Sequence, residues 1–129
     1  FKAFCCLYAT ARDFGRIGQL YLDSGKWHGT RIIDEEYWRA SITPAALDDR
    51  GAPNKRYGYF WWLAELDGNP IWYCRGFHGE YVVVMPDMDL VMVRTGMKRE
   101  EVNDAGHPKD VFEWIHIARE LAARPVRTV

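Results

Sequence analysis

A chain of 129 residues in which 48% of the side chains are apolar can enclose one sizeable hydrophobic core, and this composition excludes a disordered polymer. The formal charge of -1, from interspersed acidic and basic residues, gives no long-range field to draw nucleic acid or an anionic membrane, so neither is expected as a partner. No stretch approaches the roughly 20 apolar residues that span a bilayer, and no charged-then-apolar leader stands at the start. Because the chain opens on Phe1 and not Met, a targeting signal upstream is not visible, and the compartment, cytoplasmic or periplasmic in a bacterial-type cell, stays open. Cys5, Cys6 and Cys74 cannot all pair, and adjacent residues seldom meet disulfide geometry, so the three read as reduced, small apolar residues.

In chain order, Thr10 followed three positions later by Asp13 has the form of a helix cap, with Phe14, Ile17, Gly18, Leu20 and Tyr21 at helical spacing behind it and Ser24-Gly25 as the stop. Asp13 is therefore read as a capping residue and not a catalytic one. Residues 43–56 carry turn formers and charge without periodicity, which predicts a surface loop. Residues 57–64 predict an aromatic strand, with Asp67-Gly68-Asn69-Pro70 as its turn and residues 71–75 as the returning strand. Residues 80–85 and 90–95 predict two more strands joined at Pro86-Asp87-Met88-Asp89, so that the four form an antiparallel meander. Pro108 then starts an amphipathic helix with Val111, Trp114, Ile115, Ala118, Leu121 and Ala122, ending near Pro125 and covering one face of the sheet. Alternation places Tyr59, Trp61 and Leu63 on one face of the first strand and Phe60 and Trp62 on the other, so both faces of the sheet are expected to be covered. Most of these aromatics read as core; Tyr57 and Gly58, at the strand start, are better placed beside a cleft.

Residues 73–96 read Tyr-Cys-Arg-Gly-Phe-His-Gly-Glu-Tyr-Val-Val-Val-Met-Pro-Asp-Met-Asp-Leu-Val-Met-Val-Arg-Thr-Gly, two β-branched runs joined by a tight turn with Gly-Phe-His-Gly at the entrance. This order resembles the last strand pair of the active-site sheet in the serine-hydrolase superfamily of class C β-lactamases, penicillin-binding proteins, esterases and 6-aminohexanoate-dimer hydrolases. Residues 7–14, Leu-Tyr-Ala-Thr-Ala-Arg-Asp-Phe, resemble the signature that opens a helix in that superfamily's all-α lobe. The usual continuation, a Gly-x-Trp-x-Gly turn and a short helix, is similar to Gly25 through Gly29 and residues 32–38. The resemblance runs from about residue 7 to residue 122; its single motifs are loose and their order is the specific part. It implies an α+β fold, helices of the all-α lobe (1–56) followed by a four-strand meander with a C-terminal helix packed on it (57–129), and hydrolysis of an ester or amide through an acyl-enzyme. The superfamily's Ser-x-x-Lys nucleophile is offered by neither Ser24 nor Ser41, and no Tyr-x-Asn occurs. Residues 1–129 are accordingly read as the C-terminal portion of such a hydrolase domain, inactive alone.

Acyl transfer needs amide donors aimed at the oxyanion, and a glycine at a strand end lets a substrate carbonyl approach the backbone. If the superfamily's Lys-Thr-Gly motif is laid over this segment, its glycine falls on Gly76, and the resemblance implies Gly76 and Phe77 as the oxyanion backbone. Cys74 then stands at the lysine position and Arg75 at the threonine position. A shift of two places instead puts His78 at the lysine, as in His-x-Gly esterases. The first register is preferred because Gly-Phe-His-Gly resembles the 6-aminohexanoate-dimer hydrolase branch, with Glu80 in place of its commoner glutamine. Tyr57, Cys74, Arg75, His78 and Gly79 are the expected substrate-binding residues. Arg94-Thr95-Gly96, a second near match to Lys-Thr-Gly, lacks the following strand pair and is read as a turn. His28, His107 and His116 show no zinc spacing, and no metal or cofactor is expected. The expected partners are a small ester or amide and either the missing N-terminal part of the same enzyme or a second copy, since one strand edge and Trp114, Ile115 and Leu121 are expected to lack part of their cover. The competing readings are a catalytically inactive binding module of the same fold and an unrelated small α+β domain.

Overall fold

A computed structural model describes residues 7–49 and 51–124. Helix α1, Ala11–Leu22, begins as the sequence predicts: the Thr10 hydroxyl accepts from the Asp13 amide at 3.2 Å while the Asp13 carboxylate accepts from the Thr10 amide at 3.3 Å. Strands β1 (Lys26–Trp27) and β2 (Thr30–Arg31) form a small hairpin whose central His28 and Gly29 both have positive φ, 47° and 81°. Helix α2 is Glu35–Ser41, three residues later than the sequence predicts, because the Asp34 carboxylate caps the amides of Glu36 and Tyr37 and so fixes the first turn. Within the expected loop, β3 (Asp48–Asp49) and β4 (Ala52–Pro53) pair as a minimal ladder.

Strands β5 (Trp62–Leu66), β6 (Asn69–Arg75), β7 (Tyr81–Met85) and β8 (Leu90–Arg94) form one antiparallel sheet in sequence order, the expected meander. The first strand starts later than predicted. Tyr57 through Trp61 make a turn instead, closed by a Gly58 amide to Trp61 carbonyl bond of 2.8 Å and held on the end of α2 by the Tyr59 amide donating to the Ser41 carbonyl at 3.0 Å. Phe60 sits at φ 66°, and Gly58 packs against the Ser41 carbonyl where a Cβ would overlap it. Tertiary docking thus overrides the strand propensity of Tyr-Phe-Trp-Trp, leaving Tyr59 and Phe60 exposed. From Trp62 onward the expected alternation holds, with Trp62 on one face and Leu63 on the other. Helix α3, Lys109–Ala123, follows Pro108; the predicted end near Pro125 lies outside the described residues, as do Cys5 and Cys6.

The two faces are packed differently. Against α3, Ile71, Tyr73, Tyr81, Val83, Met85, Val111 and Ile115 are all buried. On the α1 face Tyr21, Trp61, Val82 and Val84 are the large buried side chains among the described residues, ringed by half-buried Leu22, Ile33, Trp38, Ile42, Leu63, Trp72 and Cys74. Helix α1 lies close to β7 and β8 because Gly15 and Gly18 face them: a Cβ at Gly18 would stand 2.5 Å from Val91 Cγ1 and 3.1 Å from Val82 Cγ1. The expectation that Ile115 lacks cover is overturned, since it is fully buried in the cluster with Ile71, Tyr73, Tyr81, Val83, Met85 and Val111, whereas Leu121, a turn and a half further along α3, is 57% exposed. Arg119 on α3 reaches Asp67 (3.0 Å) in the β5–β6 turn and Asp87 (3.6 Å) in the β7–β8 turn.

Candidate functional site

The end of β6 outruns its neighbour. Its last pairing with β5 is Tyr73 opposite Trp62, so Cys74 and Arg75 pair only with Val82 and Tyr81 of β7, and the Gly76 amide donates to the Glu80 carbonyl at 2.8 Å. The next amide, that of Phe77, has no acceptor among the described residues, and its side chain is 80% exposed. The segment 76–80 is a tight turn in which Gly79 has φ 85°, and the His78 amide donates to a Glu80 carboxylate oxygen at 2.9 Å. The Glu80 side chain folds over Gly76 so closely that a Cβ there would overlap its carboxylate and stand 2.9 Å from its Cβ. A side chain at position 76 would consequently displace the turn itself as well as any group lying on it.

The structure brings Gly76, Phe77, His78 and Gly79 into this one turn and separates the other expected residues around it. Cys74 points to the α1 face, packed against the cluster of Tyr21, Trp61 and Val84; burial pushes its thiol up to about 12, so this side chain is neutral at neutral pH. Arg75 points to the opposite face. Its guanidinium lies 3.5 Å over the Trp62 ring and donates to the Gly106 carbonyl at 3.2 Å, and burial pulls its pKa below the usual arginine value. Tyr57 packs edge-on against Trp62 with ring centroids 5.0 Å apart, and burial, helped by the neighbouring Cys74, raises its hydroxyl pKa. The exposed His78 ring stands edge-on to Phe77 at 5.0 Å.

Two groups of residues were not singled out by sequence reading. Asn54, buried in the 43–56 loop, donates to the carbonyls of Ala45 (2.9 Å) and Tyr57 (2.6 Å) and accepts from the amides of Arg56 and Tyr57, which fixes where Tyr57 sits. On the α3 face the Tyr73 hydroxyl meets His107 Nδ1 at 2.7 Å, and the Tyr81 hydroxyl donates to Asp110 at 2.9 Å. Burial, followed by the charges of Arg56 and Arg75, depresses His107 to about 4. The available signal was alternation: it places Tyr73 and Tyr81 on one face, and buried tyrosine hydroxyls need partners. An open groove of about 630 Å³ lies beside β5, lined by Asp49, Lys55, Arg56, Glu65, Asp104 and His107 among others, and includes no residue of the 76–80 turn. Among the described residues no three His, Cys, Asp or Glu side chains are grouped to hold a metal ion, and no helix is long and apolar enough to cross a membrane.

No family model matches the chain. A solved structure of a protein from Bacillus anthracis assigned as a 6-aminohexanoate-dimer hydrolase superposes on 91% of this chain with a TM-score of 0.62 and 23% identity. The two chains share a fold. That fold is β-lactamase-like, and the four-strand antiparallel sheet with its C-terminal helix belongs to it. The present chain spans 30% of the length of that structure.

Proposed function

We propose that residues 1–129 are the C-terminal portion of a serine hydrolase that acts on an ester or amide through an acyl-enzyme, and that they supply one wall of the cleft and one oxyanion donor. The observation that carries this reading is the end of β6 left unpaired by β5, where the Phe77 amide has no acceptor among the described residues and Gly76 before it carries no side chain of its own, although the Glu80 side chain lies over Gly76. A carbonyl laid along that edge meets an N–H already fixed in direction, which is the preorganisation that stabilises a tetrahedral oxyanion. Cys74, on the α1 face, and Tyr57, at the start of the neighbouring turn, flank the approach. With a neutral thiol at position 74 and Arg75 engaged on the far face, neither of these two positions presents a cation of the penicillin-type lysine kind, which favours an uncharged acyl group beside Cys74. In this reading the nucleophile and its base come from a segment of the same enzyme outside these residues, which contain neither Ser-x-x-Lys nor Tyr-x-Asn.

The alternative, a catalytically inactive binding module, is favoured by one observation: neither Ser-x-x-Lys nor Tyr-x-Asn occurs in these residues, and Ser41 is fully buried with its hydroxyl donating to the Trp38 carbonyl. Turnover of a short-chain p-nitrophenyl ester by the whole protein separates the two readings. In an active protein, Phe77→Pro, which deletes the donor N–H, is expected to lower kcat about a hundredfold, while Phe77→Ala, which keeps it, stays near wild type. Equal rates for Phe77→Pro and wild type would remove the oxyanion assignment.

A further inference from the structure

Arg94-Thr95-Gly96 closes β8, and its arginine does more than end a strand. Arg94 Nη1 donates to the Gly79 carbonyl at 2.5 Å and to the Lys98 carbonyl at 3.1 Å, and Nη2 donates to Lys98 as well, at 3.2 Å. On its other side the guanidinium pairs with Asp110 at 3.5 Å; that carboxylate, buried in the first turn of α3, also accepts from the Tyr81 hydroxyl and, at 3.4 Å, from the Glu100 amide. The rings of Tyr81 and Trp114, with centroids 5.6 and 5.0 Å from the guanidinium carbon, border the same site. Gly79 and Gly96 are both shaped to this group: a Cβ at either would overlap or crowd Arg94 Nη1 and stand 2.5 Å from a backbone carbonyl oxygen, of Lys98 and Gly79 respectively. An arginine that served only to neutralise Asp110 would not require two glycines to admit it between two backbone segments.

We infer that Arg94 is a positioning residue for the 76–80 turn. Suspended from Asp110 at the start of α3, it fixes the Gly79 carbonyl and through it the direction of the Phe77 amide. Within the turn the described bonds are those of the Gly76 and His78 amides to Glu80, and the Phe77 and His78 side chains lie exposed, so the outer limb of the turn is held by Arg94. The role rests on the oxyanion assignment of Phe77; the anchoring itself does not.

Two measurements on the whole protein keep these apart. Amide hydrogen exchange followed by NMR is expected to be about tenfold faster at Gly76 and His78 in Arg94→Met than in wild type, with Val82 to Val84 unchanged. Ester hydrolysis by Arg94→Met is expected to lose about tenfold to a hundredfold in kcat with KM within a few-fold of wild type, because a donor that drifts costs transition-state and not ground-state binding. Arg94→Lys, which keeps the charge on Asp110 but reaches one carbonyl, is expected to recover part of both losses, and it carries the test if Arg94→Met does not fold. Unchanged exchange in these variants overturns the anchoring. Faster exchange with unchanged kcat overturns the positioning role. If wild type hydrolyses no ester, it is the hydrolase reading that fails, and the exchange rates still decide whether Arg94 holds the turn.

Discussion

The two faces of one four-strand sheet differ more than their shared strands would suggest. The α3 face encloses seven buried residues and a polar network of Tyr73, His107, Tyr81, Asp110 and Arg94, and no buried side-chain polar atom among the described residues lacks a hydrogen-bond partner. The α1 face buries Tyr21, Trp61, Val82 and Val84 and leaves a ring of aromatic and aliphatic side chains half covered. Cohesion is concentrated on the face turned away from Cys74, and the face that borders the proposed cleft is held by close helix approach more than by volume filled. A scaffold divided in this way can keep its turn geometry while one side remains open to another segment or a ligand.

The asymmetry can be broken by mutation. Ile115→Ala is expected to have the largest effect, about 2–5 kcal/mol of unfolding free energy, because it leaves a cavity in the filled face. Urea titration of the two proteins checks it. A loss below the cost of an ordinary surface substitution would mean that this face is not where the stability resides. Gly18→Val is expected to cost less, about 1–3 kcal/mol, by forcing α1 away from Val91 and Val82. If it instead matched Ile115→Ala in the same titration, the α1 face would be as tightly determined as its opposite.

A smaller and pH-dependent effect sharpens the comparison. His107 is held neutral in the fold, with its pKa depressed to about 4 against the ordinary value of 6.5. Between those values the unfolded chain binds a proton that the folded chain does not, so this contribution is fully present above about pH 6.5 and is lost as the pH falls toward 4, by at most about 1.4 kcal/mol per unit. The urea midpoint of wild type is therefore expected to fall between pH 7 and pH 5 more steeply than that of His107→Gln. Parallel slopes would transfer the pH dependence to other groups.

What the sequence made legible was local. The Thr10–Asp13 cap, the Asp67-Gly68 turn with φ of 55° and 79°, and the alternating strands after Trp62 each follow from neighbours in the chain. Tyr57 through Trp61 were misread as strand because the cause of the turn, the Ser41 carbonyl at the end of α2, is a tertiary partner with no trace in the aromatic run. The same limit applied at the candidate site. Gly76 through Gly79 stood out as a glycine-spaced segment, but that Cys74 and Arg75 part to opposite faces, and that Arg75 stacks on Trp62, depends on where strand pairing stops. Arg94 stands in the sequence only as part of a near match to Lys-Thr-Gly; its partners at Gly79, Lys98 and Asp110 come from three separate segments.

The meander also orders events in time. Every pairing in the β5 to β8 sheet joins strands consecutive in sequence, so its loops close at small entropic cost and in the fast regime of local hairpins. Helix α1 meets the sheet at Gly15 and Gly18 against Val93 and Val91, partners from far along the chain, and gains contact only after β7 and β8 are in place. The sheet with α3 is expected to form as one cooperative unit and α1 to dock on it afterwards, which makes the α1 face the last part of the molecule to assemble and the first to open.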